Sequence, residues 1–345
     1  MNAFHDDQAE RERSRVAADA FLLLRDGAAR AALPLARGPG ASLRIPPSRH
    51  PLTRRLAVAM MRLSPATTEA AWRWLNGGLD LLARRRLARL CTGDRLQVDL
   101  RDFIGSRLFH FGVWEPHVTA LVLDSLRAGD VFCDVGANIG YYTVLASRLV
   151  GPGGHVIAVE PSPAALRILR ENIALNGLNN VRVVPAAVAA SCGRVALYGP
   201  SFGNAGTVST VSREGRTSEL DVEALPLAQI LTQDERARLR LVKIDIEGGE
   251  GPVLGSILQD LAEFSAGTDF LAEISVDTAS PDVADASELV ARFHAAGFRS
   301  SAIANDYDLR AYLGFRGPEP AQALQLPIAT QTDVLFSRRP RAGAA

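Results

Sequence analysis

The feature that most constrains this chain is a rhythm. Short, almost wholly apolar runs occur at 131–135 (VFCDV), 155–160 (HVIAVE), 181–188 (VRVVPAAV), 241–246 (LVKIDI) and 269–275. Between them, 139–149, 163–176 and 249–264 carry apolar residues at helical spacing. Strands this apolar cannot leave one face in water, so helices must cover both faces, and strand–helix alternation forces a mostly parallel order. The expected fold is therefore α/β, a mostly parallel sheet with helices on both faces. A late helix near 285–296 and a last strand in TDVLFSR close it.

The rhythm starts only after a different region. The first 95 residues read as helical, interrupted by the proline- and glycine-rich linker RGPGASLRIPPSRHPL, with helices again over 52–90 and a break at Gly77-Gly78. This gives an N-terminal helical region, 1–95, and a Rossmann-like domain, 96–340. The first serves to bind an acceptor, cover a site or form a homodimer; its pattern does not choose. LQVDL at 96–100 suggests a strand, and a helix follows Pro116. Residues 192–225 break the rhythm and fit either a flap beside a ligand or a surface hairpin.

Charge and cysteine content narrow the classes. Lys and Arg total 38, as do Asp and Glu. No basic block with interleaved aromatics marks a nucleic-acid surface. Lys243 is the sole lysine. Cys91, Cys133 and Cys192 have neither metal nor disulfide spacing, which fits a reducing, cytoplasmic setting. The charged start MNAFHDDQAERERSR is not a secretory pattern, and no apolar run reaches transmembrane length.

VFCDVGANIGYYT, 131–143, places a polar glycine turn straight after a buried strand. In an open α/β sheet, ligands bind beyond the carboxyl ends of strands. Gly136 and Gly140 let the backbone turn and approach a ligand. Asp134 presents a carboxylate before the turn, and Asn138 hydrogen-bonds within the loop or to the ligand. Thr143 holds the turn or packs on the next helix. Glu160 ends the following strand, where an acid accepts hydrogen bonds from ribose hydroxyls. Ser162 and Pro163 then read as a helix cap and first turn.

The loop is neither GxGxxG nor a P-loop. Carboxylates here repel a pyrophosphate and suit a ligand carrying cationic groups. S-adenosylmethionine, with its ammonium, sulfonium and adenosine, fits better than NAD, which needs a phosphate-tolerant turn.

DVGANIGYYT, VEPSP, LRENIALNGLNNV and KIDIEGGE, with FGVWEP upstream and LAEIS downstream, together resemble the FkbM family of S-adenosylmethionine-dependent methyltransferases over about 100–337. The resemblance implies a class I methyltransferase fold, and transfer usually to oxygen of a secondary metabolite, glycan or lipid-linked substrate. It implies a donor site at Asp134, Gly136, Asn138, Gly140 and Glu160, with Glu115 as a nearby contact. IEGGE departs from the commoner VEGAE, so Gly249 loosens a helix start.

Methyl transfer to an alcohol benefits from a base on the acceptor hydroxyl. Asp245, near the end of a core strand, is the candidate orienter or general base, and Glu247 the candidate to share that task. Glu250 fits capping at a helix N-terminus. Lys243 shares a strand face with Asp245 and is expected to pair with it. His110 and His117 flank the entry to the core as further candidates; His155 reads as structural, and His294 has no special context. Asp245, Glu247, Glu250, Glu273 and Asp277 raise Mg2+ as an alternative that spacing does not favour. The expected activity is an O-methyltransferase on a small-molecule or glycan hydroxyl. The alternatives are an N-methyltransferase, which the same pocket would serve, and an inactive donor-binding module.

Overall fold

The computed structural model describes residues 85–198 and 218–339, except 247, 275–285, 306, 309–310, 313–314, 316–318 and 320. The helices expected before residue 85 lie outside these residues.

The described chain opens with a hairpin, β1 (Arg85–Arg89) and β2 (Arg95–Asp99). β1 corrects the expectation of a helix running to residue 90. In β1 Ala88 is buried while Arg85, Leu87 and Arg89 are exposed, a two-residue alternation that packs as a strand. Helices α1 (Phe103–Phe111) and α2 (Pro116–Ser125) follow. Asp102 caps α1 by accepting from the Gly105 N–H (3.0 Å).

The main sheet then builds outward. β3 (Val131–Val135), β4 (His155–Val159) and β5 (Val181–Val184) are parallel neighbours, joined by α3 (Tyr141–Val150) and α4 (Pro163–Leu175). Ser162 caps α4 and Pro163 stands in its first turn, as the sequence pattern predicts. The expected strand 181–188 splits at Pro185, which has no N–H to donate to a ladder. Its second piece, β6 (Ala187–Val188), joins a separate sheet with β7 (Gly193–Tyr198) and β8 (Ser218–Leu225). The excursion is therefore bounded by an antiparallel strand pair; 199–217 lie outside the described residues.

After α5 (Leu227–Ile230) and α6 (Gln233–Arg238), the chain returns to the main sheet on the other side of β3, as β9 (Leu239–Ile244). α7 (Glu250–Gln259) and a 3-10 turn lead to β10 (Asp269–Ile274), parallel to β9. α8 (Ala286–Ala295), β11 (Arg299–Ile303), β12 (Gln322–Ala323) and β13 (Thr332–Ser337) complete it, with the last three strands antiparallel. The order is β12-β11-β13-β10-β9-β3-β4-β5. Strand order thus reverses between β3 and β9, the switch point at which α/β sheets bind ligands.

Side-chain alternation sorts the core. Phe132, Val156, Leu241, Leu271 and Leu335 pack toward α2 and α3. Val131, Cys133, Val242, Phe270 and Phe336 pack toward α7 and α8. The same alternation puts Asp134, Lys243, Glu273 and Asp333 on the first face, at the carboxyl end of the parallel strands. Asp134 lies beside Lys243 and Glu273 beside Asp333 in register. The fold thereby gathers buried charge at one edge.

Candidate active site

A cavity of about 420 Å³ opens at that edge. One wall is the turn after β3. Gly136 has φ +85°, and a Cβ there would stand 1.8 Å from the Asp245 carbonyl oxygen, so only glycine lets the two strand ends close. The Asp245 N–H donates to the Val135 carbonyl (3.0 Å), locking the same contact from the other side. Asn138 is also left-handed, φ +49°, and its N–H donates to Glu160 Oε2 (2.8 Å). The Ser162 N–H donates to Glu160 Oε1 (2.8 Å). The turn, the end of β4 and the start of α4 are thus tied through one carboxylate. Burial pushes Glu160 up to about 7, against the pull of those two N–H groups.

Gly136, Asn138, Glu160, Glu115 and Asp245 line the cavity; Asp134 and Gly140 stand behind it. Asp134 Oδ2 accepts from the Thr143 hydroxyl (2.6 Å), fixing α3 to β3. Burial raises Asp134 to about 6, with Lys243 and Thr143 opposing. Gly140 begins α3 at φ +92°, and a Cβ there would meet Leu169 Cδ1 at 2.5 Å. Both act on the ligand wall from behind.

The opposite end is built from side chains. Asp245 pairs with Lys243 Nζ (2.7 Å), as the strand spacing predicts, and Lys243 lies under the Tyr142 ring, 4.6 Å from its centroid. Burial alone would pull the Lys243 ammonium down; Asp245, Glu115 and Asp134 overcome it and hold the group well above its ordinary value. Glu115, at φ +42°, accepts from Tyr142 (2.7 Å), Tyr307 (3.0 Å) and Asn305 (3.2 Å). The Tyr307 hydroxyl also lies 2.7 Å from a Glu273 oxygen, and Glu273 accepts from Gln331. Asn305 reaches Asp333 Oδ2 (2.5 Å). Trp114 stacks on Tyr307 with centroids 5.4 Å apart. Burial, then Asp245, Asp333 and Glu115, push Glu273 up to about 9, so it is protonated at neutral pH.

The other expected residues fall elsewhere. Glu250 turns back to accept from the Ile246 (3.2 Å) and Gly248 (3.0 Å) N–H groups, the capping role. Glu247 and Asp277 lie outside the described residues. His110 is buried beside Phe109, and His117 accepts from the Glu319 N–H; neither lines the cavity. His155 pairs with Glu235 and His294 with Ser300. For a metal, the acids that converge differ from those spacing proposed. Glu115, Glu273 and Asp333 have oxygens within 4.8 Å of one another. Tyr307, Asn305 and Gln331 already occupy them, and no metal is assigned. Tyr142, Tyr307, Asn305, Gln331 and Asp333 were missed. Asp333, an acid inside an apolar strand pattern, carried the one readable signal.

The site fits S-adenosylmethionine. Each Glu160 oxygen keeps acceptor capacity for a ribose hydroxyl after one backbone N–H. Glu115 suits a cationic ligand, and the clustered acids oppose a pyrophosphate. A mostly parallel sheet with this turn at its switch point defines a class I methyltransferase domain, whose methyl donor is S-adenosylmethionine. Residues 134–300 match the family model described as Methyltransferase FkbM domain, so this part of the chain is an FkbM methyltransferase domain.

Curated relatives match over short stretches. A protein-L-isoaspartate O-methyltransferase of Ignicoccus hospitalis is 38% identical over 71 residues, 20% of this chain and 34% of that protein. An arsenite methyltransferase of Halobacterium salinarum is 39% identical over 57 residues, 16% of this chain and 15% of that protein. The chain spans about a third of the length of the first relatives it matches. Among solved structures, the methyltransferase FkbM of Methylobacillus flagellatus is 14% identical with a TM-score of 0.38, covering 68% of this chain and 55% of that one. No helix among the described residues is long and apolar enough to cross a membrane.

Proposed function

We propose that the protein is an S-adenosylmethionine-dependent O-methyltransferase acting on a hydroxyl of a small molecule, secondary metabolite, glycan or lipid-linked sugar. The donor supplies an electrophilic methyl group. The chain's residues then have three tasks. Glu160, Asn138 and the Gly136 turn hold the donor; Trp114, Phe103 and Tyr307 screen the cavity from water; Asp245 orients the acceptor hydroxyl and takes its proton. Glu247 is kept as the residue that shares this task. Residues 96–340 are the catalytic domain in this reading and 1–95 an accessory region, with homodimer formation one role open to it. The three cysteines, all free, support a cytoplasmic setting.

One observation carries the assignment of Asp245. Its backbone touches Gly136 and bonds to Val135, while its carboxylate, 24% exposed, lies on the cavity wall. The candidate base is therefore fixed to the candidate donor turn, which supplies the proximity that displacement requires.

The test uses isotopically labelled S-adenosylmethionine with metabolite extracts of the host, in the presence and absence of competing amines. Labelled ethers are expected. Asp245→Asn should lower turnover about a hundredfold or more while donor affinity stays within about threefold. Label appearing only on amines would replace the O-transfer reading, and a fully active Asp245→Asn would remove the base.

A further inference from the structure

We propose that Lys243 is a positioning residue for methyl transfer: it holds Asp245 as an oriented anion facing the acceptor. The proposal rests on the reading of Asp245 as base.

The chain has 38 Lys and Arg residues and uses lysine once, at this position. The site explains the choice. Lys243 is 4% exposed, in a core strand, with β3 on one side and β10 on the other. Its ammonium lies against the Tyr142 ring, 4.6 Å from the centroid, and brings a compact charge to Asp245 Oδ2 at 2.7 Å. An arginine's planar fork is wider and demands more partners. Among the described residues that line the cavity, Lys243 is the only basic one.

Acids face this pair from every element around it. Asp134 stands beside Lys243 on β3, and Glu115 approaches from the start of α2. Glu273 on β10 and Asp333 on β13 feel Asp245, as do Glu160 after β4 and Glu250 on α7. The phenols of Tyr142 and Tyr307 lie in the same cluster. A second anion amid so many carboxyl groups is costly without a cation in contact. Lys243 supplies that cation, and a fixed N–H···O direction that leaves the carboxylate one orientation.

Because the lysine is unique, it can be watched directly. Protein carrying [ε-13C, ζ-15N]lysine and a lysine-free tag gives a single side-chain lysine signal. The signal should remain that of an ammonium through pH 11, and should titrate at lower pH in Asp245→Asn. Titration of the wild type at a free-lysine value, or no change in Asp245→Asn, overturns the pairing.

Methyl transfer to the host extract supplies the functional arm. Lys243→Gln should lose at least about tenfold in kcat at pH 7 and move the acidic limb of the pH profile upward. Binding of S-adenosylhomocysteine should change less than about threefold. Lys243→Arg should restore the limb while recovering only part of kcat. A wild-type profile in Lys243→Gln, or a displaced limb in Lys243→Arg, overturns the proposal. If Lys243→Gln does not fold, Lys243→Arg and the lysine signal still decide it. A fully active Asp245→Asn with an intact wild-type pairing signal would instead remove the base reading and, with it, the positioning role, leaving only the ion pair.

Discussion

The two ends of the cavity are made differently. The end proposed for the donor is backbone: two left-handed residues, Gly136 and Asn138, and a carboxylate, Glu160, that binds N–H groups on both sides of it. The acid end is side chain: Glu115, Asp245, Glu273, Asp333, Asn305 and Tyr307 come from across the sheet and the segment after β11. A backbone-built end tolerates little change at its few fixed positions. A side-chain network has more members, and each carries less of the whole. The comparison thus predicts that single changes cost most donor affinity and stability at the donor end.

Gly136→Ala is the strongest test. The new Cβ would overlap the Asp245 carbonyl and force alanine into a left-handed conformation. Relief requires β3 and β9 to separate at the switch point. Destabilisation of about 2–4 kcal/mol is expected, with donor affinity reduced beyond a hundredfold in whatever remains folded. Calorimetric melting and titration with S-adenosylhomocysteine measure both. An unaltered melt would show that the turn has slack and would erase the contrast between the two ends.

Glu160→Gln comes next. An amide keeps one acceptor oxygen and turns an NH2 toward the N–H of Asn138 or Ser162, so one backbone donor loses its partner. Donor affinity should fall about tenfold. In the wild type, affinity should also rise from pH 5.5 to 8. Glu160 loses its proton near 7, and ribose hydroxyls donate better to the carboxylate than to the acid. The variant should flatten that rise. A flat wild-type curve would detach Glu160 from the donor.

The same contrast explains what the sequence could convey. The donor end lies within thirty or so residues, 131–162, so its turn, acid and cap can be read as one string. Its positions follow from local rules: glycine where φ is positive, serine and proline where a helix starts. The acid end depends on register. Glu273 meets Asp333 only because β10 and β13 are antiparallel neighbours, and Tyr307 reaches Glu115 across 192 positions of sequence. Residue spacing carries no such information. Lys243 with Asp245 is the exception, since two residues on one strand share a face. Asp134 shows a subtler limit: its type and place were legible, but alternation aims it at Thr143 behind the wall. The break at Pro185 was equally visible in the string, yet only the second sheet shows where β6 goes.

The smallest effect is expected at the acid end, in stability without ligand. Glu273 is held at about 9, above the ordinary carboxylate range, so the folded protein keeps a proton that the unfolded chain releases near 4.5. Between those values the native state binds more protons, and stability must fall as pH rises. Asp134, at about 6, and Glu160 and Glu250, at about 7, push the same way over the lower part of the range. Their contributions end by about pH 8; above it Glu273 acts together with Asp333, raised well above its ordinary value, and with the buried thiols of Cys91 and Cys133, which burial also raises. Glu273→Gln keeps an oxygen to accept from Gln331 and an NH2 that can donate to Tyr307, and it cannot ionise. Its melting temperature should therefore match the wild type near pH 6 to within a few degrees and decline less steeply above pH 8. Melting curves from pH 5 to 9.5 on both proteins decide this. Parallel curves would mean that Glu273 is already ionised in the network, and the acid end would then hold more negative charge than its hydrogen bonds imply.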